Sequence, residues 1–297
     1  VRPRDVALAL GVVSIWGLNF VVIKIGLQDF PPVFFAALRF ALAAVPAVFF
    51  LRPPNAPVRL IILYGLFMFA IQFALLFTGM ALGMPAGLAS LVLQGHVFVT
   101  IGLAAILFRE KVRPSQLAGA GLAASGLGLV ALNTGGETTM TGLVLVLLAA
   151  CSWAAANLVS KRIGRVDMLA LVAWGSLVAP LPLLLLSLAL EGPRQLGQAI
   201  EHLTLGGAAA LFYVVYPTTL LGFFIWSTLL SRYPAAVVAP FTLLVPVVGF
   251  LSAAVLLDEA LESWKLAAAV LVVAGLGVNQ LGARILKSVI PARRQQS

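Results

Sequence analysis

The chain has 297 residues, of which 62% are apolar and only 10% charged, with a mean hydropathy of +1.09. Soluble domains carry about 25% charged residues, so this composition excludes a water-facing surface. The formal charge of +9 does not mark a nucleic-acid binder either, because the basic residues fall in alternate loops instead of forming one stripe.

Apolar stretches of about 20 residues recur from end to end, each long enough to cross a hydrocarbon core of about 30 Å as a helix. They predict ten spans, over 5–27, 31–51, 58–82, 85–108, 114–133, 141–161, 168–190, 206–231, 234–257 and 264–283. Pro31-Pro32, Pro53-Pro54-Asn55, Gly83-Met84-Pro85 and Gly192-Pro193 punctuate them, and such residues mark turns and helix starts. No small-residue cleavage pattern follows the first segment, so it reads as a retained helix. With the N-terminus inside, fifteen of the nineteen Lys and Arg lie on the cytoplasmic side, which is the usual orientation signal. Both termini are then cytoplasmic, and residues 284–297 form a basic tail. The fold class is an all-α integral membrane protein.

Pro85–Gly128 aligns without a gap on Pro234–Gly277, 149 residues later, with 14 of 44 positions identical. The pairs include Pro85/Pro234 and Glu110/Glu259. Charge reverses between the copies: Arg109 becomes Asp258 and Arg113 becomes Glu262, as expected of equivalent loops on opposite sides of a membrane. Five spans per half make the second half enter upside down. The halves are 1–133 and 141–283, and inverted repeats of this kind suggest a transporter.

Polar groups inside a membrane are expensive and tend to face a cavity or another helix. Trp16 and Trp153 begin matched segments, each about 17 Å into its helix. That depth is better explained by an internal cavity than by the lipid interface. Asn19 shares a face with Trp16, and Asn157 with Trp153, at three- and four-residue spacing. Binding neighbouring helices together is the plainer role for these amides. Tyr213, Tyr216 and Pro217 share a face of the eighth span, and Gln72 lies within the third. Gln94 and His96 stand about 200° apart on a regular helix, so both can serve one cavity only if the fourth span breaks at Gly95. Pro240 and Pro246 interrupt the ninth span at corresponding depth, and paired interruptions point to a transporter's binding site. For His96, a bond to a neighbouring carbonyl is an equal alternative. Arg39, deep in the second span, suits a structural or gating role.

No Asp or Glu falls inside a span, so the chamber is expected to be free of carboxylates and proton-coupled efflux of organic cations is disfavoured. Cys151 is the single cysteine, which excludes an internal disulfide and a Cys-based metal site. No cofactor, metal site or catalytic set is expected, and the chain does not read as an enzyme. The small-residue runs Ala118–Gly128 and Ala267–Gly277 allow close packing. They do not require a dimer, and a monomer is the expected form.

These features resemble the drug/metabolite transporter superfamily of the EamA type. The resemblance rests on paired five-helix halves, a Trp and Asn in each first helix and Phe35-Ala36-Ala37-Leu38-Arg39-Phe40 in the second. It also rests on Pro-Ala opening each fourth helix and a Glu ahead of a Gly-Leu-Gly helix. The chain is most similar to bacterial aromatic amino acid exporters of the YddG type. The family's Pro-Val is present at Pro246-Val247 but replaced by Val97-Phe98 in the first half. The resemblance implies an inner-membrane exporter of aromatic and other neutral amino acids and related metabolites, working by alternating access. It implies a central cavity built from the first, third and fourth helices of each half, in contact with membrane lipid. By matching positions, Trp16, Asn19, Gln72, Gln94, His96, Trp153, Asn157, Tyr213 and Tyr216 are the candidate substrate contacts. Arg39, Gly95, Pro217, Pro240 and Pro246 are the gating or structural ones. A carrier of another metabolite or drug class, or a passive channel, is the alternative.

Overall fold

A computed structural model describes residues 2–289. Among them, ten helices are long and apolar enough to cross a membrane: Pro3–Gly26, Pro32–Phe50, Val58–Ala81, Ala86–Phe108, Pro114–Leu132, Met140–Ile163, Met168–Leu190, Leu205–Arg232, Ala239–Leu256 and Ser263–Gly282. Hydropathy predicts all ten because a lipid-embedded chain must pair its backbone groups within each segment. The last helix runs on as Ser263–Val289, so the first residues of the predicted tail are helical and 290–297 lie outside the described residues. A further short helix, Gly192–Glu201, buries Leu196 and Ala199. Its amphipathic sequence has too little apolar length for a hydropathy search to find.

The seventh span is interrupted at Ala179, ahead of Pro180, and four others depart from the regular α-helix in matched pairs. The third widens into a π-helical segment at Leu66–Ile71 and the eighth at Val214–Leu221. Widening leaves carbonyls without their usual helical donors. The Ser152 hydroxyl of the sixth span donates to the Phe67 carbonyl at 2.7 Å, and the Trp16 indole of the first span donates to the Thr218 carbonyl at 3.1 Å. Each half thus serves the widened turn of the other.

The fourth span breaks at Gln94 and Gly95. Helix Ala86–Leu93 ends where the Gln94 and Gly95 N–H groups turn back to Leu91 and Val92, and helix His96–Phe108 begins beyond them. At the corresponding depth the ninth span passes from a 3-10 segment, Ala239–Leu243, into helix Leu244–Leu256. Pro240 lies in the 3-10 segment, where its missing N–H disfavours an α-helix.

The breaks divide each of these spans into a tight half and a loose half. All eight residues of Ala86–Leu93 are buried, whereas only Ala104 is buried in His96–Phe108. The ninth span reverses this order: Ala239–Leu243 has no buried residue, while Pro246, Gly249, Phe250 and Ala253 are buried after it. Since the two spans run antiparallel, their tight halves lie at one face of the bundle and their loose halves at the other.

Carboxylates close the tight face. Glu259 accepts from the Ala86 and Gly87 N–H groups at 2.6 and 3.0 Å, and Glu191 accepts from Val33 and Phe34 at 2.7 and 3.0 Å. Asp29 accepts from the Thr204 N–H at 3.0 Å. Each sits at the start of a span, where unpaired N–H groups and the helix dipole favour an anion. The acids therefore gather on this face for a local structural reason.

The small-residue runs bring the fifth and tenth spans into close contact within one chain. A Cβ built on Gly119 would lie 2.5 Å from the Gly275 carbonyl oxygen, and one on Gly126 would lie 2.9 Å from that of Ala268.

Candidate functional site

His96 is the first residue after the break, which turns its ring toward the sixth span. There it stacks on Trp153, with centroids 3.9 Å apart and planes 11° from parallel. One turn along, the Asn157 amide donates to the Thr100 hydroxyl at 3.1 Å and lies 3.5 Å from His96 Nδ1. The Thr100 hydroxyl donates to the His96 carbonyl at 2.7 Å. Three predicted residues are thus assembled with a fourth, Thr100, that sequence reading missed. Its position four residues after His96, on the same helical face, is the signal that would have found it.

Asn157 and Thr100 line a cavity of about 310 Å3 that opens on the loose face. Gln116, Glu110 and Lys161 line it nearer the surface, the last two as an ion pair. This corrects the expected carboxylate-free chamber. No carboxylate projects from mid-span, but the chain turns through a left-handed conformation at Arg109 (φ 55°) and returns Glu110 to the cavity mouth. The walls also differ from those the resemblance implies, since the fourth, fifth and sixth spans supply them.

The remaining predicted residues lie apart from this cluster. Trp16 is held by Thr218 and packs against Phe223 and Trp226, with centroids at 5.6 and 5.3 Å. Tyr213 donates its hydroxyl to the Ile15 carbonyl at 3.1 Å. Tyr216 does not share that setting: it is 43% exposed and packs on Phe212. The π-helical segment changes the angular step per residue and separates two tyrosines that a regular helix would align. Gln94 is half-buried at the break and does not line the cavity. Asn19 and Gln72 are buried, and their side-chain oxygens have no partner among the described residues.

Arg39 is 3% exposed. Its Nε donates to the Thr219 hydroxyl at 3.2 Å, and its guanidinium lies 4.4 Å from the Phe73 ring centroid. It ties the second, third and eighth spans together away from the cavity. Pro246 is buried, and its carbonyl lies 3.4 Å from the Ser90 hydroxyl in the tight half of the fourth span.

Residues 4–132 and 140–279 each match the EamA-like transporter family. The chain belongs to that family. It is 46% identical over 291 residues to a Salmonella typhimurium protein named "Probable amino-acid metabolite efflux pump", covering 96% of this chain and 97% of the relative. An Escherichia coli protein of the same name is 44% identical over 293 residues, covering 96% and 98%. The "Uncharacterized transporter YvbV" of Bacillus subtilis is 28% identical over 287 residues, covering 93% and 91%. A solved crystal structure that is 19% identical shares the fold, with a TM-score of 0.63 over 97% of this chain and 99% of that one. This EamA-like protein is therefore a multi-pass membrane transporter and not an enzyme, since its relatives are named as pumps and transporters.

Proposed function

We propose that this EamA-like transporter is an exporter of the bacterial inner membrane that moves amino acids, aromatic and other neutral ones among them, and related small metabolites. Both termini are cytoplasmic in this reading, with 1–133 and 141–283 as the two repeats and 284–297 as the basic tail. The loose face is then cytoplasmic and the structure is open inward. The observation that carries the reading is the cavity beside Asn157. Its wall offers neutral donors and acceptors in Asn157 and Thr100, directly behind which His96 and Trp153 stack, and its mouth carries Glu110 with Lys161, Lys111 and Arg113. A zwitterion suits this lining, with its carboxylate toward the basic residues, its ammonium toward Glu110 and its side chain toward the stacked pair behind Asn157. Its volume of about 310 Å3 is of the size small-molecule sites require.

Rocking of the two halves about the breaks would expose the site to each face in turn. The names of the two relatives agree with amino-acid metabolites as cargo. Counterflow by purified protein in liposomes tests the reading: labelled phenylalanine should accumulate transiently against an unlabelled load, and neutral amino acids should compete. Linear, unsaturable flux would establish a channel instead. Competition by an organic cation or a nucleotide sugar alone would assign another cargo.

A further inference from the structure

Glu110 and Glu259 occupy equivalent positions in the two halves, and each follows a residue in the left-handed region, Arg109 at φ 55° and Asp258 at φ 53°. Such a conformation costs a non-glycine residue about 1–2 kcal/mol, so its recurrence at both sites marks a turn retained to aim the next side chain. The two carboxylates nevertheless have different partners. Glu259 holds the Ala86 and Gly87 N–H groups at the opening of the fourth span, on the tight face. Glu110, half-exposed on the loose face, holds Lys161. Their lysines are equivalent too. Lys161 and Lys24 close matched first helices, and Lys24 donates to the Met80 carbonyl at 2.9 Å.

We propose that Glu110 and Glu259 are alternating latches of the transport cycle, each bonding the opening of the opposite half's fourth helix only while its own face is shut. Glu259 is latched in this structure. When the loose face closes, Glu110 leaves Lys161 and takes the N–H groups that open the ninth span after Pro234, at residues 235 and 236. On the other face Glu259 lets go of Ala86 and Gly87 and pairs with Lys24. Partner exchange keeps each carboxylate bonded in both states, so the switch leaves no unpaired charge at either extreme.

The proposal rests on the alternating-access reading, and its test is independent of cargo. The background is full-length protein with the exposed Cys151 replaced by serine. Two single-cysteine reporters are built on it: Ile101→Cys, at a position that lines the cavity, and Ala253→Cys, at a buried position on the tight face. Labelling rates with a maleimide in detergent then report which face is open. The cavity reporter should label fast and the tight-face reporter slowly. Glu259→Gln should raise the rate at the tight-face reporter by about tenfold, because the two charge-assisted N–H bonds lost from the latched state outweigh the single ion pair with Lys24 lost from the other.

The deciding comparison uses the two partners of one ion pair. Glu110→Gln removes two N–H bonds from the state with the loose face shut and only a half-exposed ion pair from this one, so it should slow the tight-face reporter below its unsubstituted rate. Lys161→Gln frees that latch and should speed the tight-face reporter while slowing the cavity reporter. An ion pair with a merely structural role would shift both rates the same way for either change, and that result would overturn the proposal. Should Glu259→Gln not yield folded protein, the Glu110 and Lys161 variants decide alone. Simultaneous fast labelling at both positions with Glu110, Lys161 and Glu259 intact would instead refute alternating access itself.

Discussion

The Trp16 indole N–H donates to the Thr218 carbonyl across 3.1 Å, joining the first span to the widened turn of the eighth. Gly222 makes the contact possible, because a Cβ there would lie 2.6 Å from Trp16 Nε1. The Gly222 N–H is itself directed to the Pro217 and Thr219 carbonyls, which leaves that of Thr218 to the indole. Trp16→Phe keeps the ring but leaves a buried carbonyl unpaired, so it should destabilise the fold by about 1–3 kcal/mol. Gly222→Val should give a similar loss by displacing the indole. Thermal unfolding in detergent measures both.

Trp153→Ala removes the wall on which His96 stacks, away from the packed interface that Trp16 serves. It should lower amino-acid counterflow by at least about tenfold while shifting the unfolding temperature less than Trp16→Phe does. Equal thermal losses with full transport in Trp153→Ala would show that the stacked pair has only a packing role.

Asn157→Leu deletes the amide that joins Thr100 to the cavity wall. The apparent affinity for zwitterions should weaken by about five- to tenfold. Uptake rates across a range of phenylalanine concentrations check this, and an unchanged half-saturation point would place the cargo elsewhere.

Arg39→Lys keeps the charge but loses the planar group that lies over Phe73 while its Nε reaches Thr219. A lysine cannot meet both demands. The variant should lose about 2 kcal/mol, read as a lower midpoint of unfolding. Adding Thr219→Val should still cost about 1 kcal/mol more, because the Thr219 hydroxyl also donates to the Val214 carbonyl at 2.8 Å.

Gly119→Val drives a side chain into the Gly275 backbone, where no flexible neighbour can yield. The expected penalty is about 3 kcal/mol or more, seen as poor recovery of monodisperse protein. Gly121→Val, on the same helix with open space around it, should fold normally and provides the control.

The ten spans, Gly95 and Pro240 as points where a helix can be interrupted, and the small-residue stripes are legible in the sequence. Each follows from a local rule: backbone pairing in lipid, an interrupted helix, or room for close approach. His96, Trp153 and Asn157 could be named as polar or aromatic residues at improbable depth. Their meeting could not be derived, because it depends on the angle by which the break rotates the rest of the fourth span.

Tertiary structure alone decided the rest. Tyr213 and Tyr216 part company because a π-helical segment, marked in sequence only by Pro217, alters the turn between them. Glu110 reaches the cavity, and Glu259 the start of a helix 173 residues away, because two left-handed turns aim them across the bundle. Composition and periodicity act through neighbours along the chain and so fix which segments become helices. A carboxylate's partner is set by which helix start the packed bundle brings within about 3 Å of it, and that distance has no local sequence signature.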